Sequence, residues 1–102
     1  MATRLITDPD TDTALGHLER LTDALRAAGW TVEVAAPDDR RPSALVADPH
    51  MRRINESVIA APERSGGGWA YCYGWGERIA PCADPSGAAA LLGRVLTARR
   101  DN

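Results

Sequence analysis

Few residues of this chain could perform chemistry, and their spacing does not form a recognised catalytic set. Cys72, Cys82, His17 and His50 are the only candidates for a nucleophile with its base or for soft metal ligands. A cysteine nucleophile needs a histidine base close by, and structural zinc sites draw their cysteines from closely spaced pairs. Because the two cysteines stand far apart in the sequence, we expect reduced, packed thiols, with no metal, no cofactor and no catalytic residue.

An acidic stretch near the N-terminus has the spacing of a calcium-binding loop. Its acids take the first, third, fifth and twelfth positions of such a loop: Asp8, Asp10, Asp12 and Glu19. However, Thr13 stands where that loop needs glycine, and Pro9 interrupts the run of ligands. The stretch therefore predicts a helix start in which the acids cap free amides and complement the helix dipole.

The aromatic residues are concentrated in one segment, residues 68–82, of sequence GWAYCYGWGERIAPC. Four rings alternate there with small residues: Trp69, Tyr71, Tyr73 and Trp75. In a single extended strand the four rings share one face, and the small residues share the other. The rings could form the core face, or they could form an exposed strip, because tyrosine and tryptophan tolerate one wet end. A homodimer that buries the strip would satisfy both interpretations.

We predict that the exposed strip is the protein-binding site. The opposite face of the strand would present Ala70, Cys72, Gly74 and Gly76, which let helices approach closely. The rings would then point away from the helices and form an apolar patch of the size that marks a partner surface.

Two amphipathic helices and several strands must position that surface. Leucines at three- and four-residue intervals from Leu15 to Leu25 predict a first helix that Gly29 ends. Asp84 and Pro85 have the types expected at the start of a second helix, which runs to the C-terminal arginines.

Three strands are predicted before the aromatic one, at residues 31–36, 43–47 and 54–61. The glycine-rich stretch PERSGGG predicts a hairpin between the third strand and the aromatic strand. The order α-β-β-β-β-α indicates an α+β domain, with an antiparallel four-stranded sheet and two helices on one face. We expect one domain over residues 1–102, with residues 1–9 as a candidate disordered N-terminus.

Composition excludes several classes of protein. The chain has 102 residues, 44% of them hydrophobic, and a formal net charge of −2. This length suits one compact core, and the charge provides no general attraction to nucleic acid or to an anionic membrane. No stretch resembles a signal peptide or reaches the length of a membrane span. We therefore expect a cytoplasmic protein with no membrane partner.

The segment that begins with the GW pair at Gly29 and includes WGERIAPCADPSGAAALLGRVL is similar to a group of short uncharacterised actinobacterial proteins. In that group a tryptophan-rich strand ends in a WGERIAP-type turn, and an alanine-rich helix follows. Cys82 stands where the pattern tends to have alanine. The resemblance covers about two thirds of the chain and implies an origin, not an activity.

These observations favour a non-enzymatic interaction module, of the regulator, adaptor or immunity type, that binds a protein or a second copy of itself. Two alternatives stay open. A nucleic-acid binder could stack bases on an aromatic sheet, although Arg64 and Arg78 are the only cations near the aromatic strand. A small-ligand-binding protein would need a pocket with converging polar groups, which the sequence does not reveal.

Overall fold

The computed structural model describes residues 9–63 and 67–101, which form an α+β fold of two helices and a five-stranded antiparallel sheet. The strands lie side by side in sequence order. In chain order the elements are α1 (Pro9–Ala27), β1 (Thr31–Ala35), β2 (Ser43–Ala47), β3 (Asn55–Pro62), β4 (Trp69–Tyr73), β5 (Arg78–Pro81) and α2 (Pro85–Asp101). The proposed disordered N-terminus lies outside the described residues except for Pro9, where α1 begins.

The predicted sheet of four strands is wrong by one strand. The aromatic segment reverses direction directly after Tyr73, whose N–H donates to the carbonyl of Glu77 at 2.8 Å. Gly76 has a φ of 111°, a backbone conformation that other residues rarely adopt. The sequence interpretation treated Gly74 and Gly76 as small residues within a strand, whereas they form the turn of a hairpin. The second half of the segment is therefore β5, which pairs with β4.

The predicted hairpin between β3 and β4 is confirmed, with Val58 opposite Tyr73 and Ala60 opposite Tyr71. Its connection includes residues 64–66, which lie outside the described part of the chain.

Both helices contribute leucines to one core, which covers a single face of the sheet. We call this the inner face. α1 lies across β1, β2 and β3, while α2 packs against α1 and β5. The largest fully buried aliphatic side chains of the core are Leu18, Leu21, Leu25, Val46, Val58, Leu92 and Leu96. Burial of these side chains on one face is the main stabilisation of the fold.

The helix ends have the structures that the sequence predicts. After α1 the N–H of Trp30 donates to the carbonyl of Leu25 at 3.1 Å, and the N–H of Gly29 donates to the carbonyl of Arg26 at 3.0 Å. This pair of bonds needs the left-handed conformation of Gly29, whose φ is 98°. At the start of α2 the carboxylate of Asp84 accepts the N–H of Gly87 at 3.0 Å.

Two ion pairs attach the last turn of α2 to the sheet. Arg100 lies 2.9 Å from the fully buried carboxylate of Asp48, and Arg99 lies 2.7 Å from that of Glu56. Asp48 also accepts the backbone N–H groups of His50 and Met51. These amides, followed by Arg100, lower the pKa of Asp48. A buried carboxylate needs such partners, so the arginines do more here than complement the helix dipole.

The different exposure of two neighbouring rings gives a test of the core. Tyr73 is 6% exposed, whereas Trp75 is 61% exposed. We expect Tyr73→Ala to lower the free energy of unfolding by about 3 kcal/mol, because it opens a cavity in the core. Trp75→Ala should lower it by about 1 kcal/mol or less, since it removes only an exposed ring and its stacking. Urea unfolding measures both, and equal losses would contradict the assignment of Tyr73 to the core.

Candidate functional site

The structure divides the predicted aromatic strip instead of exposing it. Tyr71 is fully buried, Tyr73 nearly so, and Trp69 packs half-buried against the core. The prediction that these three rings point away from the helices is therefore wrong, and the alternative core interpretation holds for them. The physical reason is volume: the ring of Tyr71 lies beside Ala60 on the inner face, and interiors must be filled without voids.

Tyr71 is held on the inner face by its hydroxyl as well as by its ring. The hydroxyl donates to the backbone carbonyl of His17 on α1 at 2.6 Å. Burial raises the pKa of Tyr71 to about 12. The ring of Trp69 lies 5.5 Å from that of His17, centre to centre. The rings of Tyr71 and Trp69 thus connect the sheet to α1.

Trp75 differs from the other three rings because it lies on the β4–β5 turn. Its ring stacks on Tyr73 with 4.6 Å between centroids and an interplanar angle of 3°. Its indole N–H points to the carboxylate of Glu77 at 3.4 Å. Tyr73 covers one side of the indole, so a partner could contact the other side.

The outer face of the sheet, opposite the helices, carries the residues that alternate with the core residues. The strand register aligns Glu33 with Leu45 and Ser57, and it aligns Ile59 with Cys72 and Arg78. Neither described helix packs on this face. Leu45 is 42% exposed there. The sheet therefore has one face that forms the core and one that is open to a partner.

A groove of about 670 Å³ lies on the open side, between the β1–β2 loop and the β4–β5 turn. We call it the outer-face groove. Its principal lining residues are Pro37, Arg40, Arg41, Ser57, Ile59 and Trp75. It combines apolar side chains and hydroxyls on the strands with two cations from a loop, which is a composition typical of binding surfaces.

The charges that line the outer-face groove are all positive. Arg40 lies 3.7 Å from Asp39, but both side chains are about four-fifths exposed, so this pair contributes little. Arg41 forms no hydrogen bond or ion pair with any described residue. Arg78, in contrast, makes two bonds to the carboxylate of Glu63, at 2.8 and 3.2 Å. Arg41 is thus the groove cation without a bonded partner among the described residues, while Arg40 has only its weak pair with Asp39.

A second depression, of about 450 Å³, lies on the inner side of the same loop. Arg40 and Arg41 border it as well, together with Asp10, Asp38 and Asp39. Acids and bases face each other in this depression, so it has no clear preference for the charge of a ligand.

The thiols have the environment of inert cysteines. Both are free, Cys82 buried and Cys72 half-buried on the outer face. Desolvation raises the pKa of Cys72, although Arg78 and Arg41 oppose that effect. Burial raises the pKa of Cys82 to about 12. Because the thiolate is the reactive form, neither cysteine is activated as a nucleophile.

The calcium-loop spacing does not correspond to a loop in the structure. Asp10 and Asp12 lie in the first turn of α1, while Asp8 lies outside the described residues. Within residues 9–63 and 67–101, no group of three or more His, Cys, Asp and Glu side chains could hold a metal ion. Among the described helices, none has the length and apolar character needed to cross a bilayer. Arg64, a predicted cation beside the aromatic strand, also lies outside the described residues.

Comparison with protein-family models, with curated proteins and with solved structures gave no match for this chain. The function must therefore be argued from the geometry of the chain itself.

Sequence reasoning missed most of the outer-face groove. It assigned no role to Arg40, Arg41, Ser57 or Ile59. The alternation of Ser57 and Ile59 with Val58 and Ala60 is the signal that could have placed them on the outer face. The position of the arginines beside the sheet depends on how the loop folds, and no local pattern encodes it.

The buried hydroxyl of Tyr71 predicts a loss of stability at alkaline pH. An unfolded tyrosine has a pKa near 10, below the folded value of about 12. Between these values the unfolded state releases its proton first, so stability falls as the pH rises. In Tyr71→Phe we expect the contribution of Tyr71 to this pH dependence to vanish. The free energy of unfolding of the variant should also be lower by about 1 kcal/mol at neutral pH, because one hydrogen bond is missing.

The slope that remains in Tyr71→Phe should belong to Cys82, whose folded pKa is about 12, and to Cys72 and Tyr73, whose pKa values burial also raises. Urea unfolding at several values between pH 8 and pH 12 measures the difference. Identical pH dependence in the wild type and Tyr71→Phe would show that Tyr71 is not buried as described.

Proposed function

We propose that this protein is a small non-enzymatic interaction module that binds another protein on the outer face of its sheet. The observation that carries the proposal is that both helices pack on the inner face. The outer face therefore presents Leu45 and the outer-face groove to the solvent. An open sheet face with exposed apolar side chains is typical of a docking surface.

We propose no catalytic role for the groove, because its polar groups do not make a reacting set. Its lining offers arginine guanidinium groups and serine hydroxyls, without a carboxylate or histidine that could act as a base. Cys72, directly beside Ile59 across the strands, has a raised pKa. These groups are suited to hydrogen bonding and charge recognition.

Of the four rings in the predicted protein-binding strip, we retain Trp75 as a contact residue. Tyr73 stacks on one side of its ring, while Tyr71 and Trp69 connect the sheet to α1. A large aromatic side chain with one free side can supply much of the binding energy of an interface. The partner in this proposal is a different protein, and a homodimer through the same face is its second form.

A regulator, adaptor or immunity-type protein of the cytoplasm remains our proposal for the cellular role. The two free cysteines fit a reducing compartment. The similarity of the WGERIAP-type turn to short actinobacterial proteins adds an origin to the proposal and no activity.

Site-specific photo-crosslinking in the native host tests the proposed surface. A benzophenone amino acid replaces Leu45 on the outer face in one variant and Glu19, exposed on α1, in a control variant. We expect one protein to be crosslinked through position 45, and the same product to be weak or absent through position 19. The identified partner is then purified, and its affinity for the wild type is compared with that for Ile59→Arg.

The proposal requires Ile59→Arg to weaken binding of the purified partner at least about tenfold, because a cation then occupies the floor of the groove. A crosslinked dimer mass, with loss of self-association in Ile59→Arg, would support the homodimer. A partner captured only through position 19, or binding that Ile59→Arg does not change, would contradict the proposed surface.

A further inference from the structure

We infer that the outer-face groove binds an extended protein segment that carries a carboxylate side chain, and that Arg41 receives this carboxylate. The inference rests on the proposed function, since it names the chemistry of the partner at the surface proposed there. Ile59 and the free side of Trp75 would contact apolar side chains next to the acid. The other lining side chains contribute shape and hydroxyl groups.

Charge complementarity is the first argument for an acidic partner. The chain as a whole has a net charge of −2, yet the side chains that line the groove include two arginines and no acid. Arg41 has neither a hydrogen bond nor an ion pair with a described residue. The guanidinium group can bind a carboxylate through two parallel hydrogen bonds. A partner acid would thus meet a cation that has no hydrogen bond or ion pair to give up among the described residues.

The environment of Arg41 strengthens this argument. Two other arginines beside this face are already paired, Arg78 with Glu63 and Arg52 with Glu33, so the unpaired cation that a partner can reach here is Arg41. Desolvation raises the pKa of the Cys72 thiol, and Arg78 and, to a smaller extent, Arg41 oppose this rise. The same field would stabilise a carboxylate bound over the outer face.

The size and composition of the groove favour an extended peptide. Its volume of about 670 Å³ falls within the range of sites that hold a few side chains. The hydroxyls of Ser43 and Ser57 line it together with Ile59 and Pro37. Hydroxyls can bond the backbone of an extended segment, while the apolar groups accept its neighbouring side chains.

A nucleic acid fits this surface less well than a single carboxylate does. Arg41 and Trp75 could in principle contact one phosphate and one base. However, a nucleic acid brings a regular series of negative charges, and three acids adjoin the groove residues in sequence: Asp38, Asp39 and Glu77. These acids would repel the next phosphates, whereas a lone carboxylate can bind Arg41 and avoid them.

A comparison of two peptide pools tests the inference. Both pools are blocked hexapeptides of mixed apolar composition, with glutamate fixed at one central position in the first pool and glutamine in the second. Binding is followed by NMR through the indole N–H of Trp75 and the backbone amides of Ser57 and Ile59. The wild type, Arg41→Gln and Arg94→Gln are compared. Arg94 is an exposed arginine on α2, so its replacement makes the same charge change elsewhere.

We expect the glutamate pool to bind the wild type about tenfold more tightly than the glutamine pool, as one charge-assisted contact requires. This preference should disappear in Arg41→Gln and persist in Arg94→Gln. A short oligothymidylate, used as the nucleic-acid probe, should shift the groove signals more weakly than the glutamate pool.

Three results would overturn the inference. Equal binding of the two pools at the groove signals, or no binding of either, would exclude recognition of a carboxylate there. A preference that Arg41→Gln retains would assign the carboxylate to another residue. Tighter binding of the oligothymidylate would favour a nucleic acid. The proposed function can survive each of the first two results, because photo-crosslinking through position 45 tests the surface independently of the partner's charge.

Discussion

The packing of Tyr71 beneath α1 is the contact on which the rest of the structure depends. Its side chain is fully buried, and its hydroxyl bonds the carbonyl of His17, 54 positions away in the sequence. That bond connects the inner face of β4 to the first helix. Because side chains alternate along a strand, the side that carries Cys72 must then be the open one. The side on which Tyr71 packs therefore determines which residues of β4 are exposed to a partner.

The second helix completes this division of the sheet. Its N-terminus is capped by Asp84, and its last turn is paired with Asp48 and Glu56. The cap stabilises the start of the helix, and the two ion pairs attach its last turn to the residues beneath it. Burial of side chains in one core mainly offsets the conformational entropy that the two helices lose on folding. This core lies on the inner face, so the fold does not need an element that covers the outer face. The open face on which we propose docking is therefore a consequence of the helix packing.

Local sequence patterns predicted most of the elements for physical reasons. The bounds of β2 were correct because alternating small and branched residues stand between two proline-containing turns, and the ends of both helices followed from Gly29 and Asp84. The fifth strand was missed because Gly74 and Gly76 are consistent both with a small-residue strand and with a turn. Only the pairing of β5 with β4 decides between them, and pairing is a property of the whole sheet.

The site was less predictable than the fold. Of the predicted strip, only Trp75 is largely exposed, because the choice of face for Tyr71 and Tyr73 depends on the volume that the helices leave to be filled. A single strand contains no information about that volume. The groove arginines come from a loop whose path over the sheet is likewise a tertiary property. The sequence does show how side chains alternate along β3, and this alternation places Ser57 and Ile59 on the open face.

The central claim, that one sheet face is core and the other is open, is tested most directly by two neighbouring residues of β2. Leu45 is 42% exposed and Val46 is fully buried, so the same substitution at the two positions probes the two faces within one strand. Urea unfolding should give Leu45→Arg a free energy of unfolding within about 1 kcal/mol of the wild type. Val46→Arg should fail to fold, because it buries an unpaired charge. Equal destabilisation by the two substitutions, or a folded Val46→Arg, would contradict this account.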